Sequence, residues 1–302
     1  MSNSLGRIEV LGVPMDLGAG LRGVDVGPSA MRHAGLIPRL RQLGYDVVDG
    51  GNLPIQIAAE VPVGNPAARY SEVVDEVCRT VRSRVSSALN GGATPIILGG
   101  DHSLSAGSLA GVLDVRPETK VLWLDAHPDL NTPATSPSGN IHGMPLALAL
   151  GQAPDLLADL GWDGRRLKSE RLAIVGLRST DPGERALIRR LGICVYTVAD
   201  VDRYGMYEVM QRVLDRLNPQ AGQLHVSLDL DVVDPYAAPG VGTPVAGGIT
   251  IREAHLALEM VAQTGILGSI EAVEVNSFRD HENQTGRLAT DLVLSAFGQT
   301  IL

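Results

Sequence analysis

An α/β domain of three layers, one parallel sheet with helices on both faces, is the fold class this sequence predicts. Three observations predict it. Short β-branched runs alternate with helical patterns from end to end, several of those runs are apolar without interruption, and neither a Pro/Ser-rich linker nor a change in composition divides the chain. Strands covered on both faces carry no polar alternation, and regular βα alternation builds a parallel sheet through crossover helices. With 302 residues, 44% of them apolar and 20% charged, the chain is long enough for one large domain spanning 1–302 and apolar enough to bury a sizeable core.

The elements follow in order. RIEVLGV (7–13) is the first strand candidate, and GPSAMRHAGLIPRLRQLG (27–44) reads as an amphipathic helix. YDVVDG (45–50) is the second strand, and RYSEVVDEVCRTVRSRVSSALNGG (69–92) is the longest amphipathic run. TPIILGG (94–100) and KVLWLDA (120–126) are aliphatic strands that turn abruptly polar. The less regular segment 152–170 predicts a short helix and a surface loop. RLAIVGL (171–177), ICVYTVA (193–199) and LHVSLDL (224–230) continue the strand series. IREAHLALEMVAQTG (251–265) is helical, SIEAVEV (269–275) is the eighth strand candidate, and RLATDLVLSAFGQTIL (287–302) closes the chain as a helix. No internal repeat is present.

Several function classes are excluded by the totals. Net charge is -9 and the Lys and Arg residues are scattered, with short clusters such as GRRLKSERL (164–172) but no basic face, so no nucleic-acid partner is expected. No run approaches the roughly 18 apolar residues of a membrane span. The start, MSNSLGRIEVLGVP, lacks a charged segment followed by an apolar one, so no export signal and a cytoplasmic location are expected. Cys78 and Cys194 are far apart and unaccompanied, which reads as two buried free thiols in a reducing compartment.

In open α/β sheets, ligands sit beyond the carboxyl ends of the strands. Three strand candidates end in acid and histidine clusters: DHS after PIILGG (Asp101, His102), DAHPDLN after VLWL (Asp125, His127, Asp129, Asn131) and DLDVVDP after HVSL (Asp229, Asp231, Asp234). In an extended segment, Asp125, His127 and Asp129 would point the same way. Taken singly, each has a bland reading: a strand-end Asp is usually a helix N-cap, which suits Asp101, and a lone His usually a hydrogen-bonded core residue. Together, His102, His127, Asp125, Asp129, Asp229 and Asp231 supply two imidazoles and four carboxylates next to apolar residues. Bare carboxylates there are costly and repel one another unless cations hold them. Four negative charges match two divalent ions. Without a Cys ligand, oxygen-rich ligation with one His per ion suits two Mn²⁺ per subunit, with Co²⁺, Fe²⁺ or Zn²⁺ as substitutes. Shared carboxylates and a bridging water would complete the shells, with the ions roughly 3.5–4 Å apart, and the acidified water implies hydrolysis.

GGDHS, DAHPDLN and SLDLDVVDP together resemble the ureohydrolase family of binuclear manganese enzymes, and the similarity, spanning nearly the whole chain, is closest to its bacterial arginase members. The resemblance implies a parallel eight-stranded sheet flanked by helices. It implies that His102 and Asp129 bind one ion, that His127 and Asp231 bind the other, and that Asp125 and Asp229 bridge them. In the loop NTPATSPSGNIHGMP it implies that Asn131, Ser138 and Asn140 hold the amino-acid end of L-arginine, with His142 following. Composition alone reads that loop as a surface turn. In GLRSTDPGE it implies that Asp181 and Glu184 receive the α-amino group, while Ser179, where some members carry Asp, marks a local change in loop support. Thr243 in GVGTPVAGG would line the guanidinium pocket; otherwise it is a turn residue.

The chemistry asks for the same parts. A guanidinium is always cationic and needs a negative partner. Glu274 in the family's EVN motif would supply it, on a strand where Glu271, three residues earlier, faces the other way. The departing amine must leave protonated, with Asp129 as the implied proton carrier and His142 as the shuttle. The implied products are urea and L-ornithine. Competing readings are a ureohydrolase for another guanidino compound such as agmatine or guanidinobutyrate, and a metal-binding regulator or amino-acid sensor, in which His142 and Glu274 would have no purpose. The zinc deacylases, a further fold-level relative, keep one metal site. The family forms trimers or pairs of trimers, so a homo-oligomer is implied.

Overall fold

The computed structural model describes residues 5–162 and 164–300. Eight strands form one sheet: β1 (Arg7–Val13), β2 (Asp46–Asn52), β3 (Ala93–Gly99), β4 (Lys120–Leu124), β5 (Leu172–Leu177), β6 (Cys194–Thr197), β7 (Leu224–Asp229) and β8 (Leu267–Val273). Their order is β2-β1-β3-β8-β7-β4-β5-β6, and every neighbouring pair is parallel. The expected parallel eight-stranded sheet flanked by helices is therefore what the chain forms.

Among the described residues ten helices flank the sheet, nine between strands and the last after β8: α1 (Gly27–His33), α2 (Leu36–Gln42), α3 (Ser71–Asn90), α4 (Ser105–Val115), α5 (Pro145–Ala149), α6 (Pro182–Leu191), α7 (Val198–Tyr204), α8 (Met206–Leu217), α9 (Ile251–Thr264) and α10 (Gln284–Ala296). Alternate strand residues feed two cores. Ile96, Leu98, Leu122, Leu124, Val226 and Leu228 pack on one face with residues of α1, α2, α8, α9 and α10. Ile97, Val121, Trp123 and Ile174 pack on the other with residues of α3, α4 and α5. Both faces are apolar, which is why these strands read as unbroken runs rather than alternating ones.

Boundaries differ from expectation where local chemistry overrides the pattern. The helix expected over 27–44 is two helices, because Gly35 turns the backbone left-handed (φ 89°) between them. The strand expected over 193–199 stops at Thr197, which caps α7 together with Asp200. Among its described residues, segment 152–170 holds the short 3₁₀ turn Ala158–Leu160 and the start of a second, Ser169–Arg171. The last helix begins at Gln284 and ends at Ala296. Residues 1–4, at the start where no export signal is expected, and 301–302, at the end of the expected last helix, lie outside the described residues. Both thiols are free, and Cys78 is buried as expected, but Cys194 is only half-buried because it lies on the edge strand β6. Among the described residues no helix is long and apolar enough to cross a membrane.

The sheet order positions the site. β3, β8, β7 and β4 are consecutive in the middle of the sheet. Register sets their carboxyl ends level: Leu98 pairs with Ala272, Asp229 with Val273, and Leu124 with Leu228. The residues that follow these four strands therefore emerge side by side, at the edge where α/β sheets take their ligands.

Candidate metal centre

The strand β3 leads to Asp101, whose extended backbone and side chain cap the turn His102–Leu104 by accepting from Ser103 N at 3.0 Å. Asp101 also accepts from Gly18 N at 2.8 Å. It thus behaves as the N-cap that a single strand-end acid suggests. The turn delivers His102, 1% exposed, into a nest of carboxylates. His102 Nδ1 lies 2.9 Å from Asp129 Oδ2, 3.1 Å from Asp229 Oδ2 and 3.2 Å from Asp125 Oδ2. The ring stacks on Trp123 with centroids 4.2 Å apart.

Asp125 follows β4 and is fully buried. Its Oδ2 accepts from Trp123 Nε1 at 2.9 Å and its Oδ1 from His127 N at 2.6 Å. His127 Nδ1 is 2.9 Å from Asp231 Oδ2 and 3.6 Å from Asp125 Oδ1. The strand ends at Leu124 and Asp129 has a left-handed backbone (φ 48°), so simple strand alternation is not what aims Asp129. The chain bends after Pro128 and turns that carboxylate back over His102. On β7, Asp229 Oδ1 accepts from Asp231 N at 2.8 Å, and Asp231 accepts from Ala126 N at 3.0 Å and Thr243 Oγ1 at 3.2 Å.

Two groups result: His102, Asp125 and Asp129, and Asp125, His127 and Asp231, with the ligand atoms of each within 4.8 Å of one another. Asp125 belongs to both, and Asp229 faces the first. Burial, followed by the neighbouring Asp231 and Asp125 charges, pushes the Asp229 carboxyl well up. Burial and then the Asp125 charge lift Asp129 to about 6. Burial opposes protonation of His127, yet the Asp231 and Asp125 charges outweigh it and raise the ring to about 12. His102 Nδ1 is buried without a hydrogen-bond partner of proper geometry. An unpartnered imidazole nitrogen among carboxylates, oxygen-rich and free of thiolate, fits a pair of divalent cations.

Above the groups lies a cavity of about 350 Å³. His102, His127, Asp129 and Asp229 reach it from the ligand cluster, while Asn131, Ser138, Asn140, His142, Asp181, Glu184 and Thr243 form its walls. Every polar residue that the sequence assigns to substrate contact except Glu274 is thus on one surface. Asn131 Nδ2 donates to Asp181 Oδ2 at 2.8 Å, tying two of them together. Glu184 lines the cavity, but its carboxylate is engaged: Oε1 accepts from Leu130 N at 3.1 Å and Oε2 from Asp181 N at 2.8 Å. It staples the start of α6 to the loop. Burial raises it to about 7.

Glu274 departs from the expected strand geometry. β8 ends one residue earlier, and Glu274 has φ 65°. Its Oε1 accepts from His102 N at 2.9 Å and faces His142 Nδ1 at 3.0 Å. Its Oε2 is buried with no partner. Burial opposes a charge on His142, but Glu274 overrides it and lifts the ring to about 9.

Sequence reasoning missed the supports. Arg69 N donates to Gly139 O at 2.9 Å and its guanidinium is 3.4 Å from Asn140 Oδ1, so the segment before α3 holds the cavity loop. Trp123 grips both Asp125 and His102 from inside an apolar strand. Ser227 and Glu271 sit buried on β7 and β8, behind His102. The available signal was a Ser and a Glu in strands otherwise built for two apolar faces.

Comparison with known proteins agrees with this geometry. The model of the Arginase family matches residues 6–298. The arginase of Bacillus caldovelox is 47% identical over 98% of this chain and 99% of its own. A solved native structure of the arginase from that organism matches with a TM-score of 0.95 at 46% identity, covering 99% of this chain and 100% of the other. The arginase of Entamoeba histolytica in complex with L-ornithine is 32% identical with a TM-score of 0.89, covering 98% and 100%.

Proposed function

Because the chain belongs to the arginase family, we propose that it hydrolyses L-arginine to L-ornithine and urea, using two divalent cations, manganese by preference and cobalt as a substitute. One observation carries the reading: a single cavity joins the ligand groups to the Asn131, Ser138, Asn140 and Asp181 wall. One end is built for cations and the other for the charged ends of an amino acid.

His102 and Asp129 would hold one ion, His127 and Asp231 the other, with Asp125 and Asp229 shared. When bound, the ions offset the buried negative charge and supply a water acidified to hydroxide near neutral pH. The chain's own residues do the rest. The unpartnered Oε2 of Glu274 is the acceptor for a guanidinium. Asn131, Ser138 and Asn140 hold the α-carboxylate, and Asp181 the α-amino group. Glu184, with both oxygens engaged by backbone, keeps Asp181 in place. Thr243 orients Asp231. Asp129, whose carboxyl burial already inclines toward a proton, carries the proton to the departing nitrogen, and His142 exchanges it with solvent.

The test is urea release by the manganese-loaded protein from L-arginine, agmatine and guanidinobutyrate. L-arginine should lead in kcat/KM; a large preference for either of the other two overturns the assignment of the loop. By family membership we also read the chain as a single catalytic domain that assembles as a trimer or hexamer and works in the cytoplasm; a monomer in sedimentation, or export from the producing cell, would sink those parts.

A further inference from the structure

Behind the ligand cluster lies a second polar group, none of whose members lines the cavity. Glu271 on β8 is wholly buried. Its Oε1 accepts from Ser105 Oγ at 2.6 Å and from Ser227 Oγ at 2.7 Å, and its Oε2 accepts from Ser108 Oγ. His225 Nε2 is 3.4 Å from Oε1, and the other ring nitrogen of His225 meets Ser269 Oγ at 2.8 Å. A buried carboxylate is costly unless donors surround it, and here they do.

Ser227 joins this group to the metal centre, because its Oγ lies 2.8 Å from His102 Nε2. A hydroxyl has one proton to give. Given to Glu271, it leaves Ser227 able only to accept from the ring. His102 Nε2 must then carry the ring proton, and the lone pair falls on Nδ1. That is the atom facing Asp125, Asp129 and Asp229. The stacked Trp123 fixes the plane of the ring but does not choose between its nitrogens.

We propose that Glu271 is a positioning residue for the metal centre: by taking the proton of Ser227, it fixes the tautomer of His102 that presents Nδ1 to a cation. The inference rests on reading His102 as a ligand. Such outer partners of ligating histidines fix tautomer and orientation. The direction of the Ser227 hydrogen bond is the point at issue, and a neutral amide in place of Glu271 would remove its compulsion.

Manganese(II) titration of the chelator-stripped full-length chain tests it. The unaltered chain should take two ions; if it takes none, the reading of the site falls and this inference with it. With two ions bound, Glu271→Gln should weaken one of them roughly tenfold or more and leave the other within about twofold. Ser227→Ala should do the same while leaving the Glu271 carboxylate in place with its Ser105 and Ser108 donors, and the double variant should be no weaker than the weaker single one. Metal-free Ser227→Ala should melt near the unaltered chain, and metal-free Glu271→Gln somewhat lower, because an accepting oxygen becomes a donor. Equal weakening of both ions, additive losses in the double variant, or affinity that falls only in step with metal-free melting overturns the proposal. Should Glu271→Gln fail to fold, Ser227→Ala decides alone: an intact two-ion titration in that variant refutes it.

Discussion

His142 Nδ1 lies 3.0 Å from Glu274 Oε1, and the same oxygen accepts from the backbone of His102 at 2.9 Å. One carboxylate oxygen thus ties the wall of the cavity to the base of the ligand cluster, leaving its partner oxygen free. His142 is held by that contact and by Gly18 O rather than by any ligand residue. His142→Ala should therefore lower kcat by about 100-fold, the usual worth of a positioned acid or base, with manganese content unchanged. Kinetics paired with metal analysis checks this; an unaltered kcat removes His142 from the proton path.

Metal loading should release protons. In the metal-free chain, carboxylates outweigh burial and raise both His102 and His127, His127 to about 12. A histidine raised in this way favours its protonated form and must give up that proton to become a ligand. Apparent manganese affinity should thus rise with pH between about 6 and 8. Calorimetric titration in buffers of different ionisation enthalpy should show net proton release; uptake or no exchange contradicts the sign.

Gly139 should not tolerate a side chain. It has φ 71°, and a Cβ there would stand 1.9 Å from Pro66 O, where the cavity loop crosses the segment before α3. Gly139→Ala must move the loop, and the left-handed backbone alone costs about 1–2 kcal/mol. KM for L-arginine should rise by roughly tenfold or more, about 1.4 kcal/mol of lost binding, while manganese binding is kept. An unchanged KM would show that the loop does not hold the substrate.

Glu184→Gln replaces one of two accepting oxygens with a donor that faces a backbone N–H. The variant should lose about 1–3 kcal/mol of stability, the cost of a buried group left unpaired, and raise KM through displacement of Asp181. Thermal melting and steady-state kinetics read the two effects. A rise in KM without any loss of stability would assign Glu184 to direct substrate contact instead.

The sheet and the ligand clusters were legible because both depend on residue type at fixed places. Each of the eight strands lies within a few residues of its aliphatic run, and the acids follow where those runs stop. What was illegible depends on backbone turns and on distance in sequence. Alternation suggests that Asp129 joins Asp125 on one extended face, yet a left-handed residue delivers it. Glu274 reads as the sixth residue of a strand over 269–275 and is instead the first residue after one. Arg69 lies 71 residues from Asn140, and no local pattern announces that contact. Glu184 reads as a substrate ligand by its place in GLRSTDPGE, and only coordinates reveal that each of its oxygens already accepts from a backbone N–H.

β8 is inserted between β3 and β7 although it is the last strand to be made. Until it enters, its two flanking strands have no partner on that side, and Glu274 and Glu271 are absent from beneath His102. A chain emerging from the ribosome can therefore carry all six of the proposed ligands and still lack a finished cradle for them. On the proposed reading the metal would act as a seal on a completed sheet rather than as a seed for it, and truncations short of about residue 275 should leave a polypeptide that ignores divalent cations, since a preformed site does not exist in an unfolded chain.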